Sequence, residues 1–155
     1  MSSDDWCTPQ CVIDLVHEFW IGGPDLDPCS TEHSTVSAQW DISPPDDGLE
    51  AVWSGLRVWL NPPYSDPAPW VARAVAHDGE VLLLLKLDPS TRWWQLLWTR
   101  DLSLCLPYKR LKFESQGEPS TTAPFPSALV YLGGRNDSFG RVFGALGKCT
   151  RIEAP

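Results

Sequence analysis

LRVWLNPPY, residues 56–64, is an apolar, β-prone run that stops abruptly at two prolines. Proline fixes φ and has no amide hydrogen to donate, so Pro62 and Pro63 end the strand and stiffen the loop after it. Asn61 places an amide side chain just before the prolines, and Tyr64 places an aromatic ring just after them. We therefore expect a strand over residues 56–60 that runs into a rigid loop with bare carbonyl groups.

This loop has the groups needed to hold a planar substrate that carries an NH₂ group. The side-chain oxygen of Asn61 and the carbonyl of Pro62 can each accept one amino proton, while Tyr64 stacks on the ring. These contacts would draw the nitrogen toward tetrahedral geometry and aim its lone pair at an electrophilic methyl group. Catalysis would then rest on positioning and charge complementarity. Taken alone, the four residues fit a purely structural turn at a strand end equally well.

Segments on both sides of the loop alternate between helix and strand patterns. Apolar residues recur at helical spacing over 9–20, after a Thr8-Pro9 pair typical of a helix start. Asp66 and Ser90 are expected to cap two further helices. The other expected strands cover residues 26–29, 81–87, 102–106 and 127–132, of which 81–87 is apolar on both faces and therefore central.

This alternation predicts an α/β fold in which crossover connections join the strands of one sheet. Ligands of such sheets gather where strands end and loops begin. Residues 114–126 are rich in Pro, Ser, Thr and Gly, and we expect a loop there that is free to probe a groove. The 155 residues suffice for one domain, 1–155.

Composition narrows the class of protein. The longest apolar run, Val81 to Leu85, is far shorter than the ~20 residues that a membrane span needs, and the N-terminus shows no basic-then-apolar leader. Five cysteines at irregular spacing, without a CxxC pair or histidines at zinc-site spacing, are typical of free thiols in a reducing cytosol. We expect a cytoplasmic protein with no membrane segment and no metal.

Charge is divided unevenly along the chain, whose net charge is −8. Residues 1–80 hold 2 basic and 14 acidic side chains, which gives −12, whereas residues 81–155 hold 10 basic and 6 acidic ones, which gives +4. The basic half could follow a phosphate backbone while the acidic half faces solvent or a cationic cofactor. We expect modest, salt-sensitive affinity for nucleic acid.

A series of short blocks in one order surrounds the loop. They are Trp6-x-Thr8-Pro9, Leu26-Asp27-Pro28-Cys29-Ser30, Asp47-Gly48-Leu49 with Trp53, Asn61-Pro62-Pro63-Tyr64-Ser65 with Trp70-Val71, Leu85 to Trp94, Arg110-Leu111-Lys112-Phe113 and Ala123 to Val130. Over residues 6–133 this series resembles the phage-type DNA N6-adenine methyltransferase family, the Dam-like enzymes of bacteriophages. The resemblance implies a Rossmann-like methyltransferase domain with a mostly parallel central sheet, S-adenosyl-L-methionine as cofactor, and a catalytic loop over 61–65.

The resemblance also implies which residues bind the cofactor. Trp6 and Thr8 would lie against its methionine end, and Asp27, followed by Cys29, would face its ammonium group. Asp47 and Leu49 would meet its adenine. The structural alternatives are a helix cap for Thr8, a turn for Asp47, and core packing for Trp6 and Leu49.

The cofactor half, about residues 1–55, departs from the family pattern. The loop that starts at Asp27 contains no glycine up to Glu32, and only twenty residues separate Asp27 from Asp47. We therefore expect a compressed cofactor half in which the strand that would carry a ribose-binding acid is shortened or absent. Glu32 and Asp41 are weak candidates for that acid.

The substrate half, about residues 81–135, would hold the target base and its phosphates. A base inside a duplex cannot reach a stiff loop, so the adenine must be flipped out or single-stranded. The candidate substrate contacts are Ser65, Lys86, Asp88, Thr91, Arg92, Arg110 and Lys112. Solvated surface charge is the alternative for the four cations, and core packing is expected for Trp70.

The predicted function is methylation of adenine N6 in DNA with S-adenosyl-L-methionine as donor. Two alternatives remain open at this point. The same loop could act on cytosine N4, RNA or a protein glutamine. The fold could also bind cofactor or nucleic acid without turnover, as the glycine-poor loop and the acidic charge allow.

Overall fold

The computed structural model describes residues 6–115 and 118–155 and shows a seven-stranded sheet with helices on both faces. The sheet strands are β1 Leu26–Asp27, β2 Trp40–Asp41, β3 Val58–Leu60, β4 Val81–Lys86, β5 Leu102–Pro107, β8 Ser127–Leu132 and β9 Gly147–Ile152. A separate hairpin is formed by β6 Lys112–Ser115 and β7 Glu118–Thr122. The helices are α1 Gln10–Phe19, α2 Ala68–Val75, α3 Arg92–Gln95 and α4 Asn136–Phe143, with a 3₁₀ turn at Leu97–Thr99.

The strands lie in the order β2-β1-β3-β4-β8-β5-β9. The first four are parallel to their neighbours, whereas β8 is antiparallel to both β4 and β5, and β9 is antiparallel to β5. The α/β class is thus confirmed, but the sheet is mixed rather than mostly parallel, since three of its six pairings are antiparallel. The β6–β7 hairpin explains why β8 is antiparallel. The hairpin begins and ends on the side of the sheet where β5 ends, so β8 starts there and runs in the opposite direction to β5.

Two hydrophobic cores cover the two faces of the sheet. Alternate residues of β4 point to opposite faces, as the period of a strand requires. Leu82 and Leu84 pack with α1 and α4, while Leu83 and Leu85 pack with α2 and α3. Burial of both faces is the reason why β4 is apolar throughout.

Most predicted elements are present, with differences at their ends. The helix expected over 9–20 is α1, and each expected strand exists within a few residues of its predicted bounds. The caps expected at Asp66 and Ser90 are wrong. The second helix begins after Pro67 without a side-chain cap, and the hydroxyl of Ser90 donates instead to Asp88. The loop expected over 114–126 is largely the β6–β7 hairpin.

One edge of the sheet collects the carboxyl ends of the five strands that run in the same direction, β1, β2, β3, β4 and β5. From β1 the chain moves outward to β2, then crosses to the other side of β1 as β3. The direction of winding therefore reverses between β1 and β3. Such a switch point leaves a crevice beyond the carboxyl ends of the strands, which is where open α/β sheets bind ligands. We call this side the carboxyl edge.

Candidate active site

The loop after β3 separates two cavities at the carboxyl edge. Asn61 and Pro63 line a cavity of about 460 Å³, and Pro62 and Tyr64 line a second one of about 300 Å³. Consecutive loop residues thus face opposite sides, and the cavities share no lining residue. We name them the Asp27 cavity and the Lys86 cavity. The loop therefore borders both cavities.

The Asp27 cavity occupies the crevice between the ends of β1 and β3. Five of the six predicted cofactor contacts line it: Trp6, Thr8, Asp27, Cys29 and Asp47. Leu49 does not. Its backbone amide donates to Asp47 Oδ1 at 2.9 Å and its carbonyl accepts from Arg73, so the turn holds it away from the opening.

Asp27 is the buried acidic side chain of this cavity, whereas Asp46 and Asp47 are exposed. Its side chain is only 3% exposed and accepts hydrogen bonds from the Cys29 amide at 3.2 Å and the Ser34 hydroxyl at 3.4 Å. Burial, and then the negative charge of Asp41, raise the pKa of Asp27 to about 7, and those hydrogen bonds only partly offset the rise. A buried carboxylate without a basic partner is costly, and a cationic ligand would relieve that cost.

Gly48 brings the two walls of the Asp27 cavity together. A Cβ atom placed on Gly48 would lie 1.6 Å from the carbonyl oxygen of Pro28, so only glycine fits here. The indole of Trp53 fixes the turn by donating to the Gly48 carbonyl at 2.9 Å. This packing also gives a physical reason for the Asp47-Gly48-Leu49 and Trp53 block.

The two polar atoms of the Asn61 side chain differ in their hydrogen bonding. Its Nδ2 donates to the hydroxyl of Thr8 at 3.3 Å. Its Oδ1 is buried and has no hydrogen-bond partner among the residues described. Because an unpaired buried acceptor is unfavourable, a donor that reaches this oxygen would be favoured. An amino group entering at the loop would be such a donor.

The Lys86 cavity lies on the other side of the loop. Four predicted substrate residues line it: Ser65, Lys86, Asp88 and Thr91. Trp93 also lines it, although the sequence patterns did not single this residue out. Trp94 is fully buried and Trp93 is half-buried, because adjacent residues of a helix point in different directions. This difference in direction is the signal in the sequence that could have identified Trp93 as a cavity residue. Arg92, exposed on α3, is not part of the lining.

Tyr64 presents its ring to the Lys86 cavity from a rigid aromatic cluster. Its ring centroid lies 5.0 Å from Phe125, 6.1 Å from Phe113 and 6.3 Å from Trp6, each in an edge-to-face arrangement. Burial raises the pKa of the Tyr64 hydroxyl, which has no partner among the described residues. The ring is therefore fixed by its neighbours and not by a hydrogen bond.

Five further residues singled out in the sequence, Arg110, Lys112, Trp70, Asp41 and Glu32, lie in different places. Arg110 and Lys112 line a third cleft, beyond the aromatic cluster. Trp70 is half-buried and lines the Asp27 cavity as well as packing on the core. Asp41 ends the two-residue strand β2, next to the cavity-lining Ile42, while Glu32 is exposed and pairs with His33. The strand that we expected to be shortened or absent thus corresponds to β2, which is present but has only two residues.

Within residues 6–115 and 118–155, no helix is long and apolar enough to cross a membrane. The same residues contain no group of three His, Cys, Asp or Glu side chains that could hold a metal ion. The five cysteines are free thiols.

Comparison with known proteins assigns the chain to a family. A family model described as DNA N-6-adenine-methyltransferase (Dam) matches residues 1–127. A DNA N-6-adenine-methyltransferase of Haemophilus phage HP1 is 38% identical over 97 residues, which is 60% of this chain and 56% of the relative. One of Escherichia phage T1 is 36% identical over 95 residues, 59% of this chain and 39% of the relative. The match thus covers only about half, or less, of these relatives, but the family model covers most of this chain. The chain belongs to the DNA N-6-adenine-methyltransferase (Dam) family.

Proposed function

We propose that this protein transfers a methyl group from S-adenosyl-L-methionine to N6 of adenine in DNA. One observation carries the proposal: the Asn-Pro-Pro-Tyr loop stands between two cavities that share no lining residue. Two reactants held on opposite sides of this loop would meet at Asn61. The names and family of the relatives supply the identity of the reaction.

The Asp27 cavity fits the proposed cofactor. Its volume of about 460 Å³ lies in the range of small-molecule sites, ~300–1,000 Å³. Asp27 would hold the ammonium group, because its buried carboxylate has no cationic partner among the described residues. Trp6, Thr8, Cys29 and Asp47 would complete the binding surface. When bound, S-adenosyl-L-methionine supplies the electrophilic methyl group.

The loop would position the target amino group. Asn61 Oδ1, unpaired in the described structure, would accept one amino hydrogen, and the Pro62 carbonyl would accept the other. Both contacts leave the nitrogen lone pair directed across the loop, toward the Asp27 cavity. Pro63 keeps these acceptors in place by fixing the backbone.

The Lys86 cavity would receive the adenine ring, flipped from a duplex or presented by a single strand. Tyr64 supplies one aromatic wall, and Trp93 lines the same cavity. Ser65, Asp88 and Thr91 offer polar groups for the edge of the base, and Lys86 offers a cation. The ion pair between Lys86 and Asp88 is long, at 3.8 Å between Nζ and Oδ2.

The strand arrangement supports the finer description of the fold as a Rossmann-like methyltransferase domain with a compressed cofactor half. The proposed cofactor residues lie at the switch point between β1 and β3, where open α/β sheets generally bind ligands. The short strands β1 and β2, with two residues each, support the proposed compression. Asp41, at the end of β2, is better placed than Glu32 to reach a ribose hydroxyl. We place the reaction in the cytoplasm of the bacterial host.

The test is methylation of unmethylated genomic DNA by the purified protein with S-adenosyl-L-methionine, followed by digestion to nucleosides and mass spectrometry. N6-methyladenine is expected with the wild type. Asn61→Ala should abolish it while leaving cofactor affinity within a few-fold. Asn136→Ala is the matched control, since Asn136 begins α4 and pairs with Ser103 away from the carboxyl edge.

Other outcomes would redirect the proposal. N4-methylcytosine would keep the loop chemistry but change the base, and methylated RNA or glutamine would change the substrate class. Cofactor binding with no methylated product of any kind would favour a binding module. Near-normal turnover by Asn61→Ala would contradict the catalytic assignment.

A further inference from the structure

A third cleft at the carboxyl edge has no role in the site described so far. It has a volume of about 520 Å³ and lies between the start of α1 and the connection from β5 to β6. Its lining includes Tyr108, whose side chain is 68% exposed, and the exposed cations Lys109, Arg110 and Lys112. We name it the Tyr108 cleft. A large exposed aromatic ring next to three cations is an arrangement that folding alone does not require.

The charge of the Tyr108 cleft is opposite to that of the whole chain. Three cations line it against one acidic residue, Glu114, whereas the net charge of the chain is −8. In the described part of the chain, none of the three cations forms an ion pair with an acidic side chain. No acidic side chain stands in the first turn of α1, which forms the facing wall. The cleft thus offers uncompensated positive charge.

Contacts among aromatic rings connect the wall of the Tyr108 cleft to the Lys86 cavity. Phe113, between Lys112 and Glu114 in the sequence, packs 6.1 Å from the Tyr64 ring. Arg110 donates to the carbonyl of Ala123 at 3.3 Å, two residues before Phe125, whose ring lies 5.5 Å from Lys86 Nζ. A strand that delivers a base to the Lys86 cavity would therefore pass close to the Tyr108 cleft.

We propose that the Tyr108 cleft binds the DNA strand beside the target adenine. Lys109, Arg110 and Lys112 neutralise backbone phosphates, and Tyr108 stacks on a neighbouring base. Charged grooves and stacking aromatics together are how proteins hold single-stranded DNA without reading its sequence. The inference rests on the proposed function, and it assigns to a surface of this one domain the task of holding the substrate.

The test measures binding of a fluorescent single-stranded oligonucleotide that contains one adenine, by anisotropy at several salt concentrations. Lys109→Glu with Lys112→Glu should weaken binding at least ten-fold and reduce the slope of log K against log[salt] by about 1.4, the value for two lost phosphate contacts on a single strand. Tyr108→Ala should weaken binding about ten-fold with little change in slope, and Tyr108→Phe should restore it.

Arg151→Glu is the matched control, because Arg151 is 54% exposed and far from the cleft. It pairs with Ser103 at the start of β5, on the side of the sheet opposite the carboxyl edge. It should leave both affinity and slope unchanged. Equal losses from Arg151→Glu and the Lys109 and Lys112 pair would overturn the proposal by showing only a general charge effect. Unchanged binding by the cleft variants would overturn it too.

Methylation, assayed in parallel, separates this proposal from the proposed function. Cleft variants that bind DNA and methylate it normally would remove the cleft proposal but leave the reaction intact. Loss of DNA binding in the cleft variants, in a protein that methylates nothing, would support the cleft and refute the reaction.

Discussion

Asn61 donates its side-chain amide to the hydroxyl of Thr8 at 3.3 Å, and this contact joins the loop after β3 to the segment that leads into α1. The two residues are 53 positions apart in the sequence. The hydrogen bond uses the nitrogen end of the amide, so the oxygen end is left for a ligand. On the proposed function, Thr8 would be a positioning residue that holds the Asn61 amide with its oxygen toward the substrate.

Thr8→Val should remove that control with little change of volume. We expect kcat for DNA methylation to fall about ten-fold with KM for DNA unchanged, because the amide of Asn61 becomes free to rotate. Thr8→Ser, which keeps the hydroxyl, should recover most of the loss. Steady-state kinetics check both variants, and full turnover by Thr8→Val would contradict the positioning role.

Cofactor binding should depend on pH through Asp27. Its pKa of about 7 in the unliganded protein means that a proton occupies the carboxyl below neutrality. Affinity for S-adenosyl-L-methionine should therefore fall about ten-fold for each pH unit below 7 and level off above it. Calorimetric titrations from pH 5.5 to 8.5 measure this, and Asp27→Asn should bind weakly at every pH.

Stability of the unliganded protein should show the opposite dependence. Because the folded-state pKa of Asp27 is raised, the folded state binds more protons between the ordinary Asp pKa and about 7. This group's contribution to stability is therefore present at acid pH and is lost as pH rises through about 7. Asp27→Asn should flatten that part of the profile in urea unfolding.

Gly48→Ala should disrupt the Asp27 cavity. The added methyl group cannot fit beside the Pro28 carbonyl, so the two walls must move apart. We expect a loss of at least ~2 kcal/mol in the free energy of unfolding and a large loss of cofactor affinity. Gly140→Ala is the control: its Cβ would meet open space on α4, and it should gain ~0.5–1 kcal/mol.

Glu80 should stabilise the folded protein through its three hydrogen bonds. It accepts hydrogen bonds from the Tyr131 hydroxyl at 2.6 Å, Arg135 Nε at 3.0 Å and Trp20 Nε1 at 3.4 Å. Partial burial alone would raise the pKa of Glu80, but these donors and the charge of Arg135 outweigh it and lower the pKa. Glu80→Ala should cost ~1–3 kcal/mol at neutral pH.

The pH dependence of that loss is a second readout. Since the folded-state pKa of Glu80 is lowered, its contribution is present above the ordinary Glu pKa and disappears as pH falls through the lowered value. The difference between wild type and Glu80→Ala should shrink accordingly in acid. Glu18→Ala, at an exposed position of α1, should change stability by no more than ~0.5 kcal/mol at any pH.

Tyr64 should act through its ring. Tyr64→Phe removes a buried hydroxyl that has no partner in the described structure, so stability should stay constant or rise by ~1 kcal/mol. Methylation should remain within a few-fold of wild type. Tyr64→Ala should lose at least ten-fold in kcat/KM, and a similar loss in Tyr64→Phe would show instead that the hydroxyl contacts substrate.

Local sequence patterns were sufficient for most of the fold. Two prolines after an apolar run located the end of β3, and an unbroken apolar run located the central strand β4, because both signals lie within a few consecutive residues. Three strands were not predicted: the hairpin strands β6 and β7, which lie largely in the expected loop, and β9, whose residues are mostly polar because it is an edge strand. The strand β2, expected to be shortened or absent, has only two residues. None of these strands has a local pattern strong enough to distinguish it from a loop.

The candidate site was predictable where a residue's role follows from its neighbours in sequence. Asn61 was found because it follows a strand, and Asp27 was found because its block resembles the cofactor motif of the family. Leu49 was misplaced because its position depends on Arg73, 24 residues away. The fit of Gly48 against Pro28 was equally invisible, since tertiary contact alone creates it.

The alternation of Asn61 and Pro63 with Pro62 and Tyr64 across one loop has a kinetic consequence. The two cavities have no lining residue in common, so the two proposed ligands would not compete for the same wall. On the proposed function, binding would follow a random order, and spent cofactor could be replaced while the DNA stays in place. The enzyme would then transfer several methyl groups to one DNA strand before releasing it. This processive behaviour would follow from a single stiff loop that borders both cavities.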